Sequence, residues 1–123
     1  MYNAKLRMMK NEIRLGNIFY HIKEEIHYGT YYVCEITKDG VVNENGKLIP
    51  YNEIEPIPLT EEWLLRFGFK QLDKYTWLKN GWFVYNRKRG FVTGSKKREI
   101  KLSFVHTLQN WYYLTGEELT IKP

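Results

Sequence analysis

A chain of 123 residues, 43% hydrophobic and 16% aromatic, holds enough apolar matter for one core or two small ones without disulfide support. That excludes a disordered segment and a stapled miniprotein. Its 19 Lys and Arg against 14 Asp and Glu leave +5, a total that matters less than its distribution. The single cysteine, Cys34, excludes an internal disulfide framework and a cysteine-based zinc site, and no apolar run is long enough to span a bilayer.

The first stretch, MYNAKLRMMKNEIRLGN, lacks the apolar centre of a secretory signal. Residues 1–12 read as a flexible leader in which Met9 is a second candidate start. Cys34 sits in the apolar run YYVCEI, where it reads as a small buried hydrophobe, and the composition points to a reducing, cytoplasmic setting.

Residues 13–58 carry β signals. In NIFYHI, Ile18, Tyr20 and Ile22 alternate with Asn17, Phe19 and His21, and TYYVCEIT is rich in β-branched and aromatic residues. Asp39-Gly40 and Asn45-Gly46 accept the positive φ of tight hairpins, with VVN and KLI as short strands around the second. PYNEIEPI predicts one helical turn over 50–53 and a last strand over 54–57. Four or five short strands with tight turns close only a small barrel, and this order predicts the Src-homology-3 type.

The stretch PIPLTEEWLLRFGF then divides the chain. Pro56 and Pro58 end the upstream sheet, Thr60 is placed as an N-cap, and Glu61 and Glu62 face the positive end of the helix dipole. Trp63, Leu64 and Phe67 share one face, while Gly68 and Phe69 form a Schellman ending over Leu64. Residues 59–123 continue with strand candidates FKQL, KYTWL, GWFVYN, FVTG and REIKL, which predict a three- or four-stranded antiparallel meander. Turns are expected at Asn80-Gly81, Arg87 to Gly90 and Gly94-Ser95. In SFVHTLQNWYYLTG the period turns helical, with Ser103 as N-cap, Gly116 as stop, and Phe104, Leu108, Trp111 and Tyr112 buried. The tail tucks Leu119 or Ile121 onto the core. The fold class expected is α+β: a barrel, a short linking helix, then a meander packed by a C-terminal helix.

The blocks IPYNEIEPIPLTEEWLLRFGF and FVHTLQNWYYLTGEELTI, preceded by LGNIFY, resemble a group of short uncharacterised proteins of gut Bacteroidetes and their phages or mobile elements. The resemblance covers roughly residues 13–121. It implies provenance, a bacterial or phage accessory protein, and carries no activity, cofactor or catalytic residue.

No catalytic or metal-binding pattern stands out. His21, His27 and His106 lack HxH or HxxxH spacing or a cysteine partner, and each reads as solvated or at a core edge. Glu24-Glu25 fall in a loop, Glu61-Glu62 serve the helix, and Glu117-Glu118 read as a solvated tail. No phosphate-cradling or nucleophile motif occurs, so neither enzyme activity nor a cofactor is expected. The remaining signal is charge. Residues 66–101 hold eleven Lys and Arg against Asp73 and Glu99, a net of +9, and the remainder carries −4.

Arg87, Lys88 and Arg89 stand at one turn, and Lys96, Lys97 and Arg98 near the next, with Trp77, Trp82, Tyr85 and Phe91 between. Cations release counterions from phosphate and rings stack on unpaired bases, so these six cations with Trp82 and Tyr85 are the candidate nucleic-acid or anion-binding residues. A structural account also fits, because alternation buries half the rings and basic turns keep sheets from joining. Two alternatives are an adaptor or phage inhibitor that binds a host protein through an exposed patch containing Tyr28, Tyr31 or Trp63, and a protein that sequesters a small nucleotide.

Overall fold

The structure, a computed structural model, describes residues 12–95 and 97–121. Apart from Glu12, the expected leader lies outside them. The described residues are β-rich, with eleven strands in three antiparallel sheets, none of them closed, and two α-helices. The chain forms two compact units that part between Ile57 and Pro58.

The first unit contains β1 (Ile18–Lys23), β2 (Ile26–Tyr32), β3 (Glu35–Ile36), β4 (Gly40–Val42) and β5 (Leu48–Pro50), then a single 3-10 turn at Tyr51–Glu53 and β6 (Ile54–Glu55). Two three-stranded sheets result, ordered β2-β1-β6 and β3-β4-β5. Their core gathers Ile13, Phe19, Tyr31, Val33, Val41, Ile49 and Ile54, with Tyr51 packed against it. Local chemistry sets the turns. Thr37 Oγ1 accepts from Gly40 N at 3.2 Å and donates to Gly40 O at 2.9 Å, which folds Asp39-Gly40. Asn43 Oδ1 accepts from Asn45 N and Lys47 N at 3.0 and 2.9 Å, around Gly46 at φ 77°. A Cβ on Gly40 would lie 2.2 Å from Ile49 O, so β4 and β5 close to a distance that glycine permits.

Cys34 is exposed, not buried. The strand expected over TYYVCEIT breaks between β2 and β3, and period-2 alternation turns Tyr31 and Val33 inward while Tyr32 and Cys34 face out.

The second unit opens with α1 (Glu61–Arg66). Thr60 Oγ1 accepts from Trp63 N, and the first-turn acids Glu61 and Glu62 complement the dipole. Gly68, at φ 89°, ends the helix: Gly68 N donates to Leu65 O and Phe69 N to Leu64 O, both at 2.9 Å. That pair of bonds is the Schellman pattern, with Leu64 and Phe69 both buried beneath it.

Five strands follow where three or four were expected: β7 (Lys70–Asp73), β8 (Thr76–Lys79), β9 (Trp82–Arg87), β10 (Gly90–Ser95) and β11 (Arg98–Lys101). They form a meander in the order β11-β10-β9-β8-β7. Gly94-Ser95 is not a turn; both residues lie in β10. Helix α2 (Val105–Tyr113) begins after Phe104, and Ser103 does not cap it. Ser103 O instead accepts from Leu59 N at 3.1 Å and Phe104 bridges Pro58, so a long-range pairing holds these residues extended and delays the helix. Leu108 and Tyr112 are fully buried as expected, Phe104 and Trp111 partly, and Leu119 is tucked in.

Candidate functional site

Consecutive turns of a meander fall at opposite ends of its sheet. The β9–β10 turn therefore places Arg87, Lys88 and Arg89 at one end, and the β10–β11 turn places Lys97 and Arg98 at the other. Lys96 lies outside the described residues. The six residues of β10 put about 17 Å between the two turns at ~3.4 Å per residue. The structure thus splits the basic cluster in two. Lys88, Arg89, Lys97 and Arg98 are exposed and make no ion pair among the described residues. Arg87 Nε stands 3.7 Å from Glu99 Oε1, but both side chains are nearly half exposed. A pair so placed contributes at most about 1 kcal/mol and leaves the guanidinium open to an anion.

Residues opposed across the ladder share a face. Trp77 and Val84 are paired and buried, and the next residues on their face, Lys79 and Trp82, meet α2. Trp82 lies edge-on to Trp111 at 6.2 Å, and Lys79 Nζ is 5.7 Å from the Tyr112 ring. Lys79 also donates to Phe67 O at 2.5 Å. The Tyr112 hydroxyl donates to Glu117 Oε2 at 3.0 Å and accepts from Asn80 Nδ2 at 3.2 Å. Burial, reinforced by Glu117, raises the pKa of this phenol.

The opposite face carries Thr76, Leu78, Phe83, Tyr85, Val92 and Lys101. Along β9, the rings of Phe83 and Tyr85 stack at 6.1 Å with 9° between planes, and the Arg87 guanidinium sits 5.0 Å from the centre of the Tyr85 ring. A row of two parallel rings and a cation therefore runs up one strand. Of the rings singled out in the sequence, Trp77 is core, while Tyr85 joins this row. Trp82, though 43% exposed, lies on the other face. Phe83, 40% exposed, was missed. Its signal was the i, i+2, i+4 series Phe83, Tyr85, Arg87, which alternation puts on one side of a strand.

Between β9 and β10 the ladder opens. Pairing runs Arg87↔Gly90, Asn86↔Phe91 and Tyr85↔Val92, and no described pair continues it. Beyond that point Thr93 Oγ1 donates to Phe83 O at 2.7 Å. Gly94, at φ 94°, leans on β11 so closely that a Cβ would stand 2.3 Å from Arg98 O. The opening is a groove of about 200 Å³ lined by Gly81, Trp82, Phe83, Tyr85, Thr93, Gly94 and Trp111.

The first unit holds a polar cluster that sequence spacing did not reveal, because its partners are 32 residues apart. His21, buried in β1, shares a hydrogen bond of 2.8 Å with Glu53 Oε1 from the 3-10 turn, and Tyr28 lies over its ring at 5.0 Å. Tyr31 is buried beside it, and its hydroxyl has no hydrogen-bond partner among the described residues. Burial first, then the charge of Glu44, hold this phenol well above the ordinary tyrosine range. His27 packs edge-on against Tyr20 at 4.5 Å, and His106 is buried in α2. No group of three metal-ligating side chains occurs among the described residues. Of the three residues named for an exposed patch, Tyr28 is exposed, while Tyr31 and Trp63 are buried. No described helix is long and apolar enough to cross a membrane.

No protein-family model, curated protein or solved structure matches the chain.

Proposed function

We propose that the chain is a non-enzymatic accessory protein that binds nucleic acid across the five-stranded sheet of its second unit. The observation that carries this reading is the Phe83–Tyr85–Arg87 row, flanked by Lys88 and Arg89 at one end of the sheet and Lys97 and Arg98 at the other. Parallel rings on a sheet offer stacking platforms, and cations at both ends follow a phosphate backbone past them. The separation of the two turns favours an extended polyanion over a compact one. The test is fluorescence anisotropy with mixed-sequence single-stranded and duplex oligonucleotides at low and moderate salt. Binding that weakens steeply with salt supports the reading. Failure of every oligonucleotide to bind at low salt overturns it.

Exposed Ile26 and Tyr28 on β2 support a second reading. They lie on a terminal strand of the β2-β1-β6 sheet, where a host protein would add a strand. A partner captured by the chain from nuclease-treated bacterial lysate and lost on Tyr28→Lys substitution would favour this reading; retention in that variant would sink it.

We read the first unit as an Src-homology-3-like arrangement. Its sheet orders and the 3-10 turn just before the last strand support this. Absence of β1–β6 cross-strand contacts in NMR spectra would refute it. The resemblance to bacterial and phage proteins supports a cytoplasmic setting in such a host, and detection of the chain in secreted fractions alone would count against that.

A further inference from the structure

From the opening between β9 and β10 we infer that the second unit takes a single-stranded nucleic acid by admitting one unpaired base into the aromatic groove. This rests on the nucleic-acid reading above. The groove measures about 200 Å³, below the ~300–1,000 Å³ of pockets that enclose a drug-sized ligand, so it fits one flat ring and not a whole nucleotide. Its walls suit such a ring. The Trp82–Trp111 pair reaches it from the helix-packed face, and the Phe83–Tyr85 pair from the opposite face, because residues 82 and 83 alternate across β9.

Two glycines keep the space clear. Gly81 carries no side chain into the groove, and Gly94 at φ 94° turns β10 away toward β11. Thr93 Oγ1 already satisfies Phe83 O, so the wall does not need a strand in that gap to complete its hydrogen bonding.

Charge decides what kind of ring enters. Lys97 and Arg98 are exposed at the end of the sheet where the groove lies, while Arg87 sits on the row that leads away from it. Glu117 also stands at that end, held by Asn80 and Tyr112. A flat ring joined to a chain of phosphates matches this arrangement: the ring enters the groove and its phosphates lie along the basic turns. A duplex does not match, because its bases are paired and stacked inward, and drawing one out costs a few kcal/mol.

The test compares three probes of equal length on the full chain at low salt: a thymidine oligomer, an abasic sugar-phosphate oligomer and a duplex. Anisotropy gives the affinity and tryptophan emission gives the site. The thymidine strand should bind at least about tenfold tighter than the abasic strand and the duplex, and should quench emission, since Trp82 and Trp111 line the groove whereas Trp63 and Trp77 are buried. Trp82→Ala should weaken thymidine-strand binding by about five- to 150-fold, the range for loss of one stacked base. Trp82→Phe should restore most of it, and neither variant should change affinity for the abasic strand. Equal binding of thymidine and abasic strands, or binding without quenching, overturns the groove while leaving the nucleic-acid reading intact. No binding by any of the three overturns that reading itself.

Discussion

The hydroxyls of Tyr31 and Tyr112 predict opposite responses to the same substitution. Both tyrosines are buried, yet Tyr112 donates to Glu117 and accepts from Asn80, while the Tyr31 hydroxyl has no hydrogen-bond partner among the described residues. In the unfolded chain each hydroxyl is bonded to water. Folding therefore strips Tyr31 of a partner, at about 1–3 kcal/mol for an unsatisfied buried group, and exchanges partners at Tyr112 for a net gain of about 0.5–1.5 kcal/mol per bond. Tyr31→Phe keeps the ring that packs among Phe19, Val33 and Ile54 and removes only the stranded oxygen. It should raise stability by about 1 kcal/mol. Tyr112→Phe should lower stability by about 1–2 kcal/mol. Urea unfolding followed by circular dichroism reads both. At a slope of about 1–3 kcal/mol per molar, a gain of 1 kcal/mol moves the midpoint up by roughly 0.3–1 M. A Tyr31→Phe chain destabilised as much as Tyr112→Phe would refute the reasoning, because it would mean the Tyr31 oxygen is satisfied in the folded protein.

The same two phenols set the alkaline limit. Their folded pKa values lie above the ordinary tyrosine value, so stability from the protonated forms is fully present below pH ~10 and is lost as pH rises past it. Phenolate absorbance should show Tyr31 and Tyr112 titrating late, together with unfolding, and titration of these two at the ordinary tyrosine pH would contradict this. At the short helix, Thr60→Ala should cost about 1 kcal/mol through its lost cap and Gly68→Ala about the same through strain at φ 89°. Thermal melts that leave either variant unchanged would count against the capping account. If the basic turns contact phosphates, replacing Arg87, Lys88 and Arg89 with alanine should reduce the salt slope of single-strand binding by about 2, at ~0.7 per contact. An unchanged slope would place the contacts elsewhere.

Features fixed by neighbouring residues were legible in the chain. Thr60, Gly68 and Asn80-Gly81 each act within a few positions, so caps and hairpins could be assigned without knowing the rest of the fold. Features fixed at a distance were not. Ser103 has the chemistry of an N-cap, but its carbonyl is claimed by Leu59, 44 positions upstream. His21 meets Glu53 only because the sheet brings β1 beside the 3-10 turn. The basic cluster is visible as composition, while its division between two ends depends on the strand order, because successive turns of a meander lie at opposite ends of the sheet. Phe83 and Trp82 are adjacent in sequence, and only the strand register separates the exposed row from the helix-packed face.

Among the described residues the five-stranded sheet is open at both sides, since β7 and β11 each have one neighbour. Their exposed cations, Lys70 on β7 and Arg98 and Lys101 on β11, repel an approaching copy before backbones can join. Salt concentrated enough to screen these charges would mute that repulsion, so high ionic strength is the condition under which copies would be most ready to assemble edge to edge into larger particles.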